Sequence, residues 1–204
     1  MTRTLLAVLA AEAGRPVQVD TLVARLWGDR PPERPRHAVH VYVARVRASL
    51  SRSAVVRRSD GYVFDVPQPS VDVHRFQQLV AAGELDAALS LPRGIPLEDL
   101  TGSWVERMRV TWERRRLDAA ITWARHETAT GDPHRVISRF GDLLDQHPLA
   151  EPLAASLMLA LHAVGRRAEA LHVFAQTRQR LRDELGAEPG AVLRSAHLRL
   201  LKPG

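Results

Sequence analysis

The stretch from Arg36 to Val66, RHAVHVYVARVRASLSRSAVVRRSDGYVFDV, constrains the fold more than any other part of the chain. Val39, Val43, Val46 and Leu50 recur at steps of four, three and four, which puts them on one buried face of a helix. Arg36, His37, His40, Arg45 and Arg47 project elsewhere from that helix. It ends in Ser-Arg-Ser, after which two short β-branched runs, Ala54–Arg57 and Tyr62–Val66, flank Asp60-Gly61, a strong hairpin signal. Arg57 and Arg58 stand at the mouth of that turn. Taken singly, the helix reads as a solvated basic face and the hairpin as an ordinary one. Their order, a basic amphipathic helix followed at once by an arginine-tipped hairpin, is that of a winged helix-turn-helix facing duplex DNA.

The residues ahead of this stretch supply the other parts of such a unit. A helix is expected from about Thr4 to Ala13, stopping at Gly14 as its C′ residue. Arg15 to Val19 is a short extended piece with alternating apolar positions. Asp20 reads as the N-cap of a second helix, Thr21–Trp27, with Leu22, Val23, Leu26 and Trp27 as its apolar stripe and Gly28 as its end. The following DRPPERP cannot be helical throughout, because each proline past a first turn removes a donor and clashes. Three helices and a hairpin thus make one compact unit ending near Val66.

Charge separates this unit from the rest. The net charge is +6, and residues 1–66 hold 11 Arg against 6 acids, leaving only +1 for the remainder. Such asymmetry points to a polyanion-binding module joined to a nearly neutral one. Other classes lack support. There is no cysteine for a disulfide framework or thiolate metal site. No apolar stretch approaches the ~20 residues that span a bilayer. MTRTLLAVLAAEAG has the outline of a short signal peptide, but Glu12 interrupts it and a second helix follows, so a cytoplasmic, nucleoid-associated protein is expected. His37 and His40 are spaced as half of a metal site, with no third ligand nearby in sequence, and neither a metal nor a cofactor is expected. No Gly-rich phosphate loop, nucleophile elbow or paired-carboxylate motif argues for an enzyme.

Pro67-Gln-Pro-Ser70 has the composition of a linker. Beyond it the sequence reads as helix pairs: Val71–Ala82 with Glu84–Leu91, Ser103–Thr130 with His134–Gln146, Leu149–Val164 with Arg167–Leu185, and a closing helix Ala191–Leu200. Gly131 and Gly165 lie 34 residues apart, each between two helices of a pair, which is the tetratricopeptide period. Phe140 and Phe174 fall at the same offset of nine from those glycines. Ala170 and Phe174 supply the A-x₃-F pattern, with Val136 where the earlier unit would carry the alanine. Two to three degenerate repeats are expected, with Phe140 and Phe174 as equivalent core residues. Trp27, Trp104, Trp112 and Trp123 fall on helical stripes and are expected in cores. The fold class is mainly α: a winged helix-turn-helix with a small hairpin wing, then a helical repeat domain.

Four segments carry a family resemblance: VDTLVARLWGDRPPERPRHAVHVYVARVRASL, RSDGYVFDV, VDVHRFQQLV and HPLAEPLAASLMLALHAVGRRAEALHVFAQTRQRLRDELGAEPGAVLRSAHLRLL. They resemble the Streptomyces antibiotic regulatory protein family, bacterial activators with an OmpR-type winged helix followed by a tetratricopeptide-like bacterial transcriptional activation domain. The resemblance covers nearly the whole chain and is most specific at ELGAEPG-x-x-L-R. It implies a DNA-binding domain at 1–66, a linker at 67–70 and the activation domain at 71–204. Family members usually carry several strands ahead of the first helix, whereas this sequence starts at that helix, so a thin sheet is expected. The stretch from Gly83 to Leu100 is also shorter than is usual in the family, and the first helix pair would be vestigial.

The resemblance further implies promoter binding, contact with RNA polymerase and a homodimer on DNA, in the service of a biosynthetic, secondary-metabolite gene cluster. The third helix would lie in the major groove and the wing would reach the adjacent minor groove or its phosphates. Carried onto this chain, His37, His40, Val41, Ala44 and Arg45 face base edges, with Arg45 suited to a bidentate guanine contact and Val41 to a thymine methyl. Arg36, Tyr42, Arg47, Arg57 and Arg58 would grip phosphates. A reading of a different class is a protein-interaction adaptor, since helical repeats build concave surfaces for partners and the short winged helix would then bind DNA weakly.

Overall fold

The computed structural model describes every residue except 60, 92, 93, 95, 203 and 204. It is mainly helical with one small antiparallel sheet, and packing divides it into two compact units, Met1–Arg116 and Leu117–Gly204.

In the first unit, α1 (Thr2–Ala11) buries Leu5, Val8 and Leu9 completely, at the i, i+3, i+4 spacing of one helix face. Helix α2 (Val19–Trp27) turns in Leu22 and Leu26. It begins earlier than expected: Gln18 holds the N-cap position, so Asp20 lies in the first turn instead of capping it. Helix α3 (Pro35–Ser49) opens on Pro35, whose fixed φ and missing N–H suit a first turn. Val39, Val43 and Val46 are buried as predicted, but Leu50 is 52% exposed. The helix stops at Ser49, and with φ −110° and ψ −81° Leu50 has left the helical track that would have carried it inward.

The sheet has the order β1 (Val17–Gln18), β3 (Gly61–Phe64), β2 (Val55–Arg58). Arg58 pairs with Gly61 on one side of β3 and Gln18 with Gly61 on the other. Gly61 is therefore a strand residue and not half of the turn. A Cβ there would stand 2.2 Å from the Val17 carbonyl oxygen, so only glycine lets β1 close onto β3. Ser59 takes up part of the reversal at φ 43°. Asp60, the other predicted turn residue, lies outside the described residues.

The predicted linker forms a short 3₁₀ turn, Gln68–Ser70, with Gln68 Nε2 donating to the Ala13 carbonyl at 3.2 Å. Helices α4 (Asp72–Ala81) and α5 (Leu85–Leu89) follow. Trp104 and Val105, in the first turn of α6 (Ser103–Thr130), belong to the same apolar core as α1, α2, α3 and the sheet. Arg109 on α6 donates to the carbonyls of Pro96, Leu97, Glu98 and Leu100 at 2.6–3.1 Å, tying that segment down.

In the second unit, α7 (Pro133–Gln146) is capped by Asp132, which accepts from the His134 N–H at 2.9 Å, and buries Val136, Phe140 and Leu144 at intervals of four. Helix α8 (Glu151–Ala163) is buried nearly all round, as its Leu- and Ala-rich sequence requires, with α7, α9 (Arg167–Leu185) and α10 (Ala191–Leu201) packed about it. The 34-residue spacing matches the positions of the two helix pairs, but the Phe pair is not equivalent. Phe140 is fully buried and stacks on Trp123, whereas Phe174 is half-buried and stacks on His197 with ring centres 3.9 Å apart. Glu188, accepting from Arg182 and Arg178, is held below the usual carboxylate range chiefly by those hydrogen bonds, and Glu169 is lowered in the same way by Arg166.

Candidate nucleic-acid interface

Because Val39, Val43 and Val46 fix one face of α3 inward, its opposite face must meet solvent. His37, His40, Val41, Ala44 and Arg45 are all exposed and fall on that opposite arc, so the five residues predicted at base edges share one surface. Helix α3 carries Arg36, Arg45 and Arg47 and no acidic residue.

The side chains around this surface differ in how firmly they are held. The Arg45 guanidinium lies 5.8 Å over the Tyr42 ring, and Tyr42 rests on Trp27 of α2 with ring centres 6.1 Å apart. Arg36 forks onto Asp20, its Nε and terminal nitrogen donating at 3.1 and 2.8 Å. Both side chains of that pair are about 70% exposed, at 69% and 72%, so the pair is weak and open to exchange with another anion. Arg47 is turned inward: Nε donates to the Val55 carbonyl at 2.8 Å and the guanidinium stands 5.9 Å over the Tyr62 ring. His40 Nδ1 lies 2.6 Å from the Tyr62 hydroxyl. These last two links fasten α3 to the strands of the wing. Arg57 and Arg58 are exposed at the end of β2.

Sequence reasoning did not single out Tyr62, the wing partner of His40. Its 22-residue separation leaves no local signal, although strand alternation does send Tyr62 inward with Phe64. It also passed over Arg34, immediately before α3, and Arg52, in the turn leaving it, both exposed cations. Among the described residues no group of three or more His, Asp or Glu is gathered as a metal site, and no helix is long and apolar enough to cross a membrane.

Two families match the chain in tandem. Residues 2–64 match "Transcriptional regulatory protein, C terminal" and residues 71–201 match "Bacterial transcriptional activator domain". The chain is 34% identical to the transcriptional regulator RedD of Streptomyces coelicolor, over 98% of this chain and 63% of RedD. It is 30% identical to the regulatory protein DnrI of Streptomyces peucetius, over 98% of this chain and 83% of DnrI. The solved structure of Mycobacterium tuberculosis EmbR, in complex with a low affinity phosphopeptide, matches with a TM-score of 0.83 at 31% identity. That match covers 98% of this chain and 58% of the EmbR chain. The chain thus spans less than two thirds of the length of RedD and of EmbR.

Proposed function

The chain belongs to the Streptomyces antibiotic regulatory protein family, and from that premise we propose that it is a sequence-specific DNA-binding activator serving a biosynthetic gene cluster. Residues 1–66 are the promoter-reading module, residues 71–204 the partner-binding module, and 67–70 the joint between them. Helix α3 enters the major groove with Arg45 on a guanine and Val41 against a thymine methyl, while Arg57 and Arg58 hold backbone phosphates. Arg36 leaves Asp20 for a phosphate, and Tyr42 and Arg47 act chiefly by bracing the helix. The further partners are RNA polymerase and a second copy of the chain on DNA. The protein works in the cytoplasm on nucleoid DNA and has no catalytic role.

One observation carries this reading: a helix without acids turns its valines inward and sets Arg45, His37 and His40 on one exposed face, beside an arginine-ended wing strand. The test is selection from a random duplex pool with the intact chain, followed by binding of the recovered sequence to Arg45→Ala. Loss of about 1–3 kcal/mol concentrated at one base pair is expected for a guanine contact. Equal loss on specific and random duplex would make Arg45 a phosphate contact. A pool that yields no preferred sequence would leave the adaptor reading in place.

A further inference from the structure

Tyr62 is held on both sides. It sits in the central strand, paired through its backbone with Val17 and with Arg57, and only 4% of it is exposed. Its ring is therefore fixed, and the freedom left to it is rotation of the hydroxyl. That hydroxyl meets His40 Nδ1 at 2.6 Å, with the rings edge to face at 6.0 Å. Two arrangements fit this distance. In one the phenol donates to Nδ1; in the other Nδ1–H donates to the phenol oxygen.

The second arrangement leaves the phenol O–H without an acceptor, since His40 is the hydroxyl's only partner among the described residues. An unmet buried donor costs about 1–3 kcal/mol. A phenol is also the better donor, and the bare nitrogen of a neutral imidazole the better acceptor. The first arrangement gives both atoms a partner and leaves the remaining ring hydrogen on Nε2, in an exposed side chain on the outer face of α3.

We propose that Tyr62 is a positioning residue that locks His40 as an Nε2–H donor, so that α3 reads a hydrogen-bond acceptor on a base edge at this position. This rests on the DNA-reading role proposed above. The base chemistry follows: guanine N7 or O6, adenine N7 or thymine O4 accept from Nε2–H, whereas the amino groups of cytosine and adenine do not. Arg47, lying over the same ring and bonded to Val55, stiffens the contact without supplying a hydrogen-bond partner to the hydroxyl.

The experiment has two arms on the intact chain. The first is nitrogen NMR of the histidine rings at about pH 8, above the ordinary histidine range. His40 is expected as a single tautomer with bare Nδ1 and protonated Nε2, becoming an exchanging mixture in Tyr62→Phe. The second arm measures binding to the selected duplex and its single-pair variants. Wild type should discriminate at one pair by about three- to tenfold, as one neutral hydrogen bond allows. Tyr62→Phe should lose that discrimination while keeping the Arg45-dependent pair and the salt slope. His40→Ala should lose it at the same pair, and the double variant should do no worse. A wild-type His40 with Nδ1–H, or with mixed tautomers, overturns the lock whatever the DNA result. A locked tautomer with unchanged base preference in Tyr62→Phe overturns the reading step. A locked tautomer in a chain that selects no duplex overturns it through the parent reading, and the spectrum tells those failures apart.

Discussion

Trp104 lies in the sequence with the repeat-bearing helices but is packed in the core of the winged helix, and its removal should unfold that unit selectively. At 6% exposure nearly all of it is buried, in the apolar core that it shares with residues of α1, α2, α3 and the sheet. Burial of about 200 Å² at ~25 cal/mol per Å² gives about 5 kcal/mol as an upper bound. Measured Trp-to-Ala losses of about 3–5 kcal/mol are the better guide. Set against the 5–15 kcal/mol that is typical of a domain, roughly, Trp104→Ala removes a large share of the first unit's stability. Hydrogen exchange resolved by peptide is the assay, because Trp27 and Trp112 share the unit with Trp104 and would confuse fluorescence. Amides of α1–α3 should lose about 3–5 kcal/mol of protection while those of α8 keep theirs. By the same logic a 1–66 fragment, lacking Trp104 and Val105, should melt without cooperativity, and a 1–116 fragment should unfold in one transition. If 1–66 is as stable as 1–116, or Trp104→Ala costs under about 1 kcal/mol, the shared core is refuted.

Replacing Arg57 and Arg58 together by Ala should weaken binding about equally on all duplexes and lower the salt slope by up to about two, and titration at several salt concentrations reads this directly. Phe140→Ala should cost about 3–5 kcal/mol and Phe174→Ala distinctly less, since only Phe140 is fully buried; equal losses in thermal melts would restore their equivalence. Glu188 has a lowered pKa when folded, so its contribution is present above the ordinary glutamate range and is lost as pH falls below that range and through the lowered folded pKa. Wild type and Glu188→Gln should therefore differ at neutral pH and converge in acid, and a gap that widens in acid would contradict the assignment.

What was legible depended on how locally each feature is determined. The α3 stripe of Val39, Val43 and Val46 follows from periodicity, readable within a few residues, and the span Arg167–Leu185 read from the sequence ends in the structure at Gly186, which takes the left-handed conformation. Leu50 failed because periodicity says nothing about where a helix stops. Gly61 failed because its reason is Val17, 44 residues earlier, whose carbonyl occupies the space of a Cβ. Phe174 kept its repeat offset but met His197 of α10 where the earlier unit gives Phe140 a stack on Trp123. Trp104 was placed correctly in a core, yet the helical stripe that buries a residue does not say which neighbouring helices will cover it. The five residues proposed for base edges were legible as an arc because the arc is the complement of the valines.

The rotation of α3 is the quantity on which any base-reading assignment turns, and spacing alone leaves it open to about one residue, or 100°. In the folded chain three ties of different kinds oppose such a turn. The buried valines would have to exchange places with exposed positions such as Ala44, losing on the order of 1.5 kcal/mol or more each. The Arg47–Val55 and His40–Tyr62 bonds grip one flank of the helix from the wing, each worth about 1 kcal/mol and costlier when one buried partner is stranded. The Tyr42–Trp27 contact grips the other flank from α2 and sets the ring over which Arg45 lies. Apolar burial selects the face, and the two flanking grips fix the angle within it. In the proposed complex little ordering would remain to be spent at Arg45 and His40, which places specificity on the braced residues of α3 and leaves salt-sensitive affinity to the unbraced Arg57 and Arg58.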